Sequence, residues 1–280
     1  MQPTTVTWRG LTVATGVEAD YRLTALSGWE SLPDVRFDKT NRARGHGSHP
    51  SPVWADERTV TVEGRCWSED NRDALLHELK RHMTFAAAPE PLTVTVAGRT
   101  LTAGAQLLRC DPSLVSQQWG MGRFGWVAQW RCPDPLRYAD PQSAATGLPT
   151  SGGGLTYPLT YPLEYGALGA TGQIVLSNPG TADAPITFTV SGPLPMGFEL
   201  SAGQDRLRYP VEMPAGQLLT INTGTGTVLV EGTADRRANL TLADWMQVPA
   251  GGSLTVQFTS LGGAYDDAAQ LAATWSSAWW

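Results

Sequence analysis

The chain has 280 residues, 41% hydrophobic content and a formal net charge of −6, enough apolar material for a packed core in one or two domains and too much for wholesale disorder. It holds no run of about 18 apolar residues, which excludes a membrane-spanning helix. Residues 141–280 carry 4 Lys/Arg against 10 Asp/Glu, compared with 16 and 16 in residues 1–140, and so acidic a second half argues against a nucleic-acid binder, which needs clustered basic side chains.

Thirty Gly and 20 Pro among many Thr and Val favour strands joined by frequent turns. The opening "MQPTTVTWRG" has no basic segment followed by an apolar one, so no secretory signal is expected, and folding in a cytoplasm is. Cys66, Cys110 and Cys132 are odd in number and form no CxxC, which reads as buried thiols and not as a disulfide framework.

In chain order, "TTVTWRG", "LTVAT" and "YRLTALSGW" are strand-like. The stretch "RFDKTNRARGHGSHPSPVW", residues 36–54, lacks apolar periodicity and holds Arg36, Lys39, Arg42, Arg44, His46, His49 and Trp54. A polar excursion of that length inside a compact domain is usually functional, so it is expected as an arm or ordered loop that contacts something, with those seven residues as a candidate oligomer interface. "ERTVTVEGRCW" alternates, with Val60, Val62 and Gly64 on one side, as a half-buried strand does.

Ser68 then reads as the cap of a helix over residues 69–83, with acids in its first turn, Lys80, Arg81 and His82 in its last, and an apolar stripe of Leu75, Leu76, Leu79 and Met83. "LTVTVAGRTLTA" predicts a hairpin turning at Ala97-Gly98, followed by strands "AQLLRC" and "GRFGWVAQWRC". The prolines of "PDPLRYADP" end the pattern near residue 140.

Residues 141–168 are expected to contain a hinge at "TSGGG" and an extended strap, "LTYPLTYPLEYG". In the strap, each Pro restrains its own φ and pushes the Tyr before it to an extended conformation. Tyr157, Leu159, Tyr161, Leu163 and Tyr165 then share one edge and would lie across a β surface to tie the two domains. From Gln173 onward, "QIVLSNPG", "PITFTVSGP", "GFELSAG", "RLRYPVEM", "GQLLTINTG", "GTVLVEG", "SLTVQFTS" and "QLAATWSSAWW" are short runs between turn residues, the pattern of a β-sandwich.

Motifs for chemistry are weak. His77 and His82 are five apart and point to different sides of a helix, so they do not make a zinc pair. His46 and His49 have no further ligand nearby, neither GxSxG nor a P-loop occurs, and Asp266 and Asp267 sit in a turn where acids are solvated. No enzyme activity, cofactor or metal is expected. Trp245 and Trp275 fall inside strand-like patterns and are expected to be buried, whereas Trp279 and Trp280 would cover a core edge or an interface. Trp245, Trp279 and Trp280 are the candidate contacts for a glycan or a partner.

The order of these parts resembles the distal tail protein (Dit) family of long-tailed bacteriophages, the siphoviruses. The stretches that carry the resemblance are "DERTVTVEGRCW" before "SEDNRDALLHELKRHM", the domain end "CPDPLRYAD", the strap "YPLTYPLEYG", and "LLTINTGTGTVLVEG" followed by "LADWMQVPAGGSLTVQF". The final "TWSSAWW" is similar to minor tail proteins of phages that infect actinobacteria, in keeping with 18 Arg to 2 Lys.

The resemblance implies a mainly β fold. Residues 1–140 would be a ring-forming belt domain, 141–168 the hinge and strap, and 169–280 a galectin-like or carbohydrate-binding-module-like sandwich. It implies a virion tail-tip component assembled in the host cytoplasm as a homohexameric ring, or two stacked rings. That ring would join the tail tube protein to the hub or tail-associated lysin and the tape measure protein, with a receptor-binding protein or host glycan as further partners. It implies no specific nucleic-acid recognition and no membrane insertion. The alternative reading is a carbohydrate-binding sandwich module of a secreted or cell-surface protein.

Overall fold

The computed structural model describes residues 3–16, 20–68, 71–150, 171–263 and 266–280, with the backbone alone at 116–117. All of the hinge "TSGGG" but Thr150, and the whole strap, including Tyr157, Leu159, Tyr161, Leu163 and Tyr165, lie outside the described residues. The chain divides into two compact units, Met1–Ala139 with Trp279–Trp280, and Asp140–Ala278.

The first unit contains β1 (Thr5–Trp8), β2 (Leu11–Ala14), β3 (Tyr21–Ser27), β4 (Val35–Phe37), β5 (Val53–Ala55), β6 (Arg58–Trp67), α1 (Arg72–His82), β7 (Glu90–Val96), β8 (Arg99–Ser113), α2 (Ser116–Gly120), β9 (Arg123–Cys132) and β10 (Arg137–Tyr138). Seven strands close into a barrel in the order β1-β2-β3-β6-β9-β8-β7, with β7 returning to β1. All neighbours are antiparallel except β2 and β3, which join in parallel through Ala14 and Arg22. Closure leaves no open edge in the barrel.

Alternation drives this arrangement. On β6, Arg58, Val60, Val62, Gly64 and Cys66 are buried while the residues between them face outward. The barrel core gathers Trp8, Trp126, Trp130, Phe124, Val60 and Val62, with Trp8 and Trp130 edge to face at 5.8 Å. Gly28 is required where it stands: a Cβ would lie 1.9 Å from the Thr59 carbonyl oxygen, and its φ is +79°. Leu75, Leu76, Leu79 and Met83 of α1 and its C-cap join the same core.

Several local expectations change. The helix begins at Arg72 with Asn71 as N-cap, and Ser68 Oγ instead accepts a hydrogen bond from the Asn71 N–H. The turn at Ala97-Gly98 forms, both residues having positive φ as a tight hairpin turn demands. "AQLLRC" is not a separate strand but the continuation of β8, which bulges between Leu107 and Arg109. "PDPLRYADP" does not end pairing outright, because Tyr138 of β10 pairs with Thr102.

The second unit holds β11 (Gln142–Gly147), β12 (Gln173–Asn178), β13 (Ile186–Ser191), β14 (Phe198–Ala202), β15 (Asp205–Tyr209), β16 (Leu218–Asn222), β17 (Thr227–Val230), β18 (Ala234–Asp235), β19 (Leu242–Ala243), β20 (Gly252–Ser260) and β21 (Gln270–Trp275). They form a six-stranded sheet, β11-β21-β13-β16-β17-β18, and a five-stranded sheet, β12-β20-β14-β15-β19. Each sheet buries alternate residues, including Phe188 from one and Phe198 and Phe258 from the other, so the two make a sandwich. Trp275 is buried as expected, and its indole N–H donates across the sandwich to the Ser177 carbonyl at 2.8 Å. The runs expected as strands from Gln173 onward all form strands, although the last breaks in two. Residues 142–147, in the span expected as hinge and strap, form β11 against β21. The short β22 (Ala278–Trp279) ends the chain, and Trp279 and Trp280 belong to the first unit and not to the sandwich.

Candidate assembly surface

Between β3 and β6 the chain leaves the barrel as a hairpin. β4 and β5 pair with Val35 opposite Ala55, Arg36 opposite Trp54 and Phe37 opposite Val53. Beyond them Asn41 bridges Ser48, the His49 N–H donates to the Thr40 carbonyl at 2.9 Å, and the Arg42 N–H donates to the Gly47 carbonyl at 3.2 Å. The excursion of residues 36–54 is therefore an ordered β-arm.

Strand alternation puts Val35, Phe37 and Val53 on one face of the arm and Arg36 with Trp54 on the other. Phe37 is 54%, Val53 60% and Trp54 63% exposed, so apolar side chains face water on both sides. The outer segment carries Lys39, Arg42, Arg44, His46 and His49 against Asp38, and is basic. The structure brings Arg36 and Trp54 together as cross-strand partners, and spreads the other predicted interface residues along the exposed arm. His46 and His49 join no group of metal-ligating side chains among the described residues.

The arm is mounted on a buried arginine. Arg58, 1% exposed, donates from Nε to the Pro135 carbonyl at 2.9 Å. Its Nη1 lies within hydrogen-bonding distance of the carbonyls of Gly28 (2.8 Å), Trp29 (3.0 Å) and Ser31 (2.6 Å). Burial, reinforced by the neighbouring Arg137 charge, pulls the Arg58 guanidinium below its ordinary value. The four carbonyls offset that penalty by accepting its protons. Arg137, also buried, sits 3.0 Å from the Glu30 carboxylate, lies over the Trp29 ring at 5.5 Å, and donates to the Trp280 carbonyl. The Asp56 N–H closes the root by donating to the Asp34 carbonyl at 2.7 Å.

Sequence reasoning missed this root. Arg58 has the same parity as Val60 and Val62, which signalled an inward position, but its carbonyl partners are remote in sequence.

The remaining candidates lie elsewhere. Trp245, expected to be buried within a strand, instead lies between β19 and β20 with its ring half-buried, beside Gly226 and under the Arg237 guanidinium at 5.4 Å. Trp279 is 9% exposed with Arg99 over its ring at 5.4 Å, and Trp280 is partly exposed. The His82 Nδ1–H donates to the Arg9 carbonyl at 2.8 Å, so His82 ties the helix end to the β1–β2 turn.

No family model matches the chain, and no curated protein does. Among solved structures it is similar to the Dit protein of SPP1, described as a paradigm of hub adsorption apparatus in phages that infect Gram-positive bacteria, with TM-score 0.66 and 11% identity over 98% of each chain. It also aligns with the phage P2 baseplate in its activated conformation, with Ca at TM-score 0.44 and 11% identity over 97% of each chain. With Sr the values are TM-score 0.41 and 11% identity, over 94% of this chain and 99% of that one. The SPP1 Dit likeness shows a common fold along nearly the full length of both chains.

Proposed function

We propose that this chain is a distal tail protein of a long-tailed bacteriophage: a structural subunit that closes into a hexameric ring at the virion tail tip. The observation that carries the reading is the arm. A closed barrel has no edge strand to offer a second copy, so strand pairing between barrels calls for an added element. A two-stranded hairpin with apolar side chains exposed on both faces is marginal in water and gains stability when a neighbour covers it. The fold shared with SPP1 Dit supports the same reading. In this role the ring joins the tail tube protein to the hub or tail-associated lysin, next to the tape measure protein, and supports host adsorption. The work is mechanical and needs no cofactor. A sugar platform at Trp245 has less support, because Arg237 and Gly226 occupy space beside its ring.

The test is the solution mass of the full chain, together with negative-stain images, before and after deletion of residues 39–50. The expected result is a ring for the full chain and a folded monomer for the deletion, with an unchanged circular dichroism spectrum. A full chain that stays monomeric at every concentration overturns the ring. Rings that survive the deletion overturn the role of the arm.

A further inference from the structure

Strand register lays threonines side by side across one outer face of the barrel. Thr7 on β1 stands directly opposite Thr12 on β2 and Thr93 on β7, and Thr93 stands opposite Thr102 on β8. Thr95 and Thr100 form a further cross-strand pair one pleat along. The hydroxyls are joined two by two, at 3.1 Å for Thr7–Thr12, 3.0 Å for Thr93–Thr102 and 2.9 Å for Thr95–Thr100. The other outward positions where these strands pair, Thr5, Ala14, Pro91 and Gly104, are uncharged. Glu90 and Arg99 have the opposite parity; Glu90 pairs with Arg9, and Arg99 lies over the Trp279 ring. The outer face of β6 and β9 differs, because Glu63, Arg65, Arg123 and Arg131 are exposed on it.

Covering a charged face costs the desolvation of each charge, whereas a face of methyl groups and hydroxyls already bonded to one another is covered with little loss. The barrel is closed, so a second copy finds no strand edge there and has to pack on a face. The arm has a side that fits. Val35, Phe37, Val53 and Ala55 share one side of it and carry no charge, while Arg36 lies on the other. Four strands span about 14 Å, which is room for a two-stranded ribbon laid on top. In the barrel order the arm leaves between β3 and β6, whereas β1 and β7, the middle of the threonine face, lie on the opposite side. A ring is built from heterologous contacts, in which each copy gives one surface and receives on another. Two surfaces on opposite sides of the subunit meet that requirement.

We infer, on the footing of the ring proposed above, that the threonine face of one copy is the seat of the next copy's arm, with Val35, Phe37 and Val53 packed on Thr7, Thr93 and Thr95. The occupant is a second copy of this chain, and the contact is sheet face on sheet face with no charge buried in it.

Assembly of the full chain is read by sedimentation velocity. Thr7→Lys/Thr93→Lys is expected to weaken self-association by about hundredfold or more, because each ammonium would have to be desolvated under the arm, with melting by circular dichroism as the folding control. Phe37→Asp/Val53→Asp is expected to weaken it likewise. Mixed in equal amounts, the two variants are expected to form a one-to-one dimer, since one keeps its arm and the other its face. A photo-cross-linking benzoylphenylalanine in place of Phe37 leaves the face unaltered. With isotope-labelled and unlabelled chains mixed, it is expected to link to residues 5–14 or 90–104 of another copy, read by mass spectrometry of the joined peptides. Rings formed by the folded lysine variant, no dimer in a mixture of the two folded variants, or links to β6 or β9 each overturn the seat and leave the ring standing. A full chain that stays monomeric at every concentration overturns the ring and the seat with it. The cross-link decides the matter if the lysine variant does not fold.

Discussion

Gly64 lies against the face of Trp126: a Cβ built on it would stand 2.4 Å from the indole carbons Cε2 and Cζ2. The two residues are Cα partners on β6 and β9, and the missing side chain of one makes room for the largest side chain of the other. Gly64→Ala should therefore force the ring off its position and destabilise the barrel by about 1–3 kcal/mol, as overpacking does. Chemical denaturation measures this; an unchanged midpoint would show that the ring has slack.

Arg58→Met should cost more than its lost charge. It leaves the carbonyls of Gly28, Trp29, Ser31 and Pro135 without their donor inside the root of the arm. A loss of about 2–4 kcal/mol is expected, and faster amide exchange should be concentrated in residues 28–34 and 56–58. Uniform exchange acceleration across the barrel would argue against a local mounting role.

Phe37→Asp with Trp54→Asp tests the arm without shortening it. Both side chains are exposed in the single chain, so its stability should move by no more than about 0.5 kcal/mol. Self-association, read by light scattering, should vanish. Persistence of the assembled species would mean that the apolar faces are not the contact.

Trp279→Ala should unsettle a unit whose other residues, Trp280 apart, end at Ala139. Trp279 is buried in the barrel unit's core cluster, so removing its ring should cost about 3–5 kcal/mol. Amide exchange in the first unit should rise while the interior strands of the sandwich keep their protection. The reverse pattern would place the residue's energetic role in the sandwich.

The thiols give a pH dependence. Burial pushes Cys66 up to about 12, and Cys110 and Cys132 up to about 11, from an ordinary value of 9.0. The folded state holds these protons more tightly than the unfolded state does. Their contribution to stability is thus complete below the unfolded value near 9.0 and is lost as pH rises towards the folded values. Denaturation midpoints should fall above about pH 9, less steeply in Cys66→Ala relative to its own neutral value. At pH 8 a thiol reagent should leave Cys66 and Cys132 unmodified until denaturant is added.

Elements whose signal is local were legible in the amino-acid sequence. The alternation of residues 57–67, the turn at Ala97-Gly98 and the strand runs from Gln173 onward needed only parity and turn chemistry, because one face of each strand is buried. It also marked residues 36–54 as an excursion without a core of its own. It missed β4 and β5 within that excursion, because a three-residue strand exposed on both faces shows no alternation. The rest rests on contacts between residues far apart in the chain. Barrel closure depends on the single parallel pair Ala14–Arg22 and on the β8–β9 pairing, both non-local. The donors of Arg58 meet carbonyls 27 to 77 residues away, and Arg137 meets Trp280 at a separation of 143. Arg22 and Arg123 meet the Trp67 ring only because strand register sets β3 and β9 on either side of β6, since register is fixed by which faces can be buried together and no single strand carries that information.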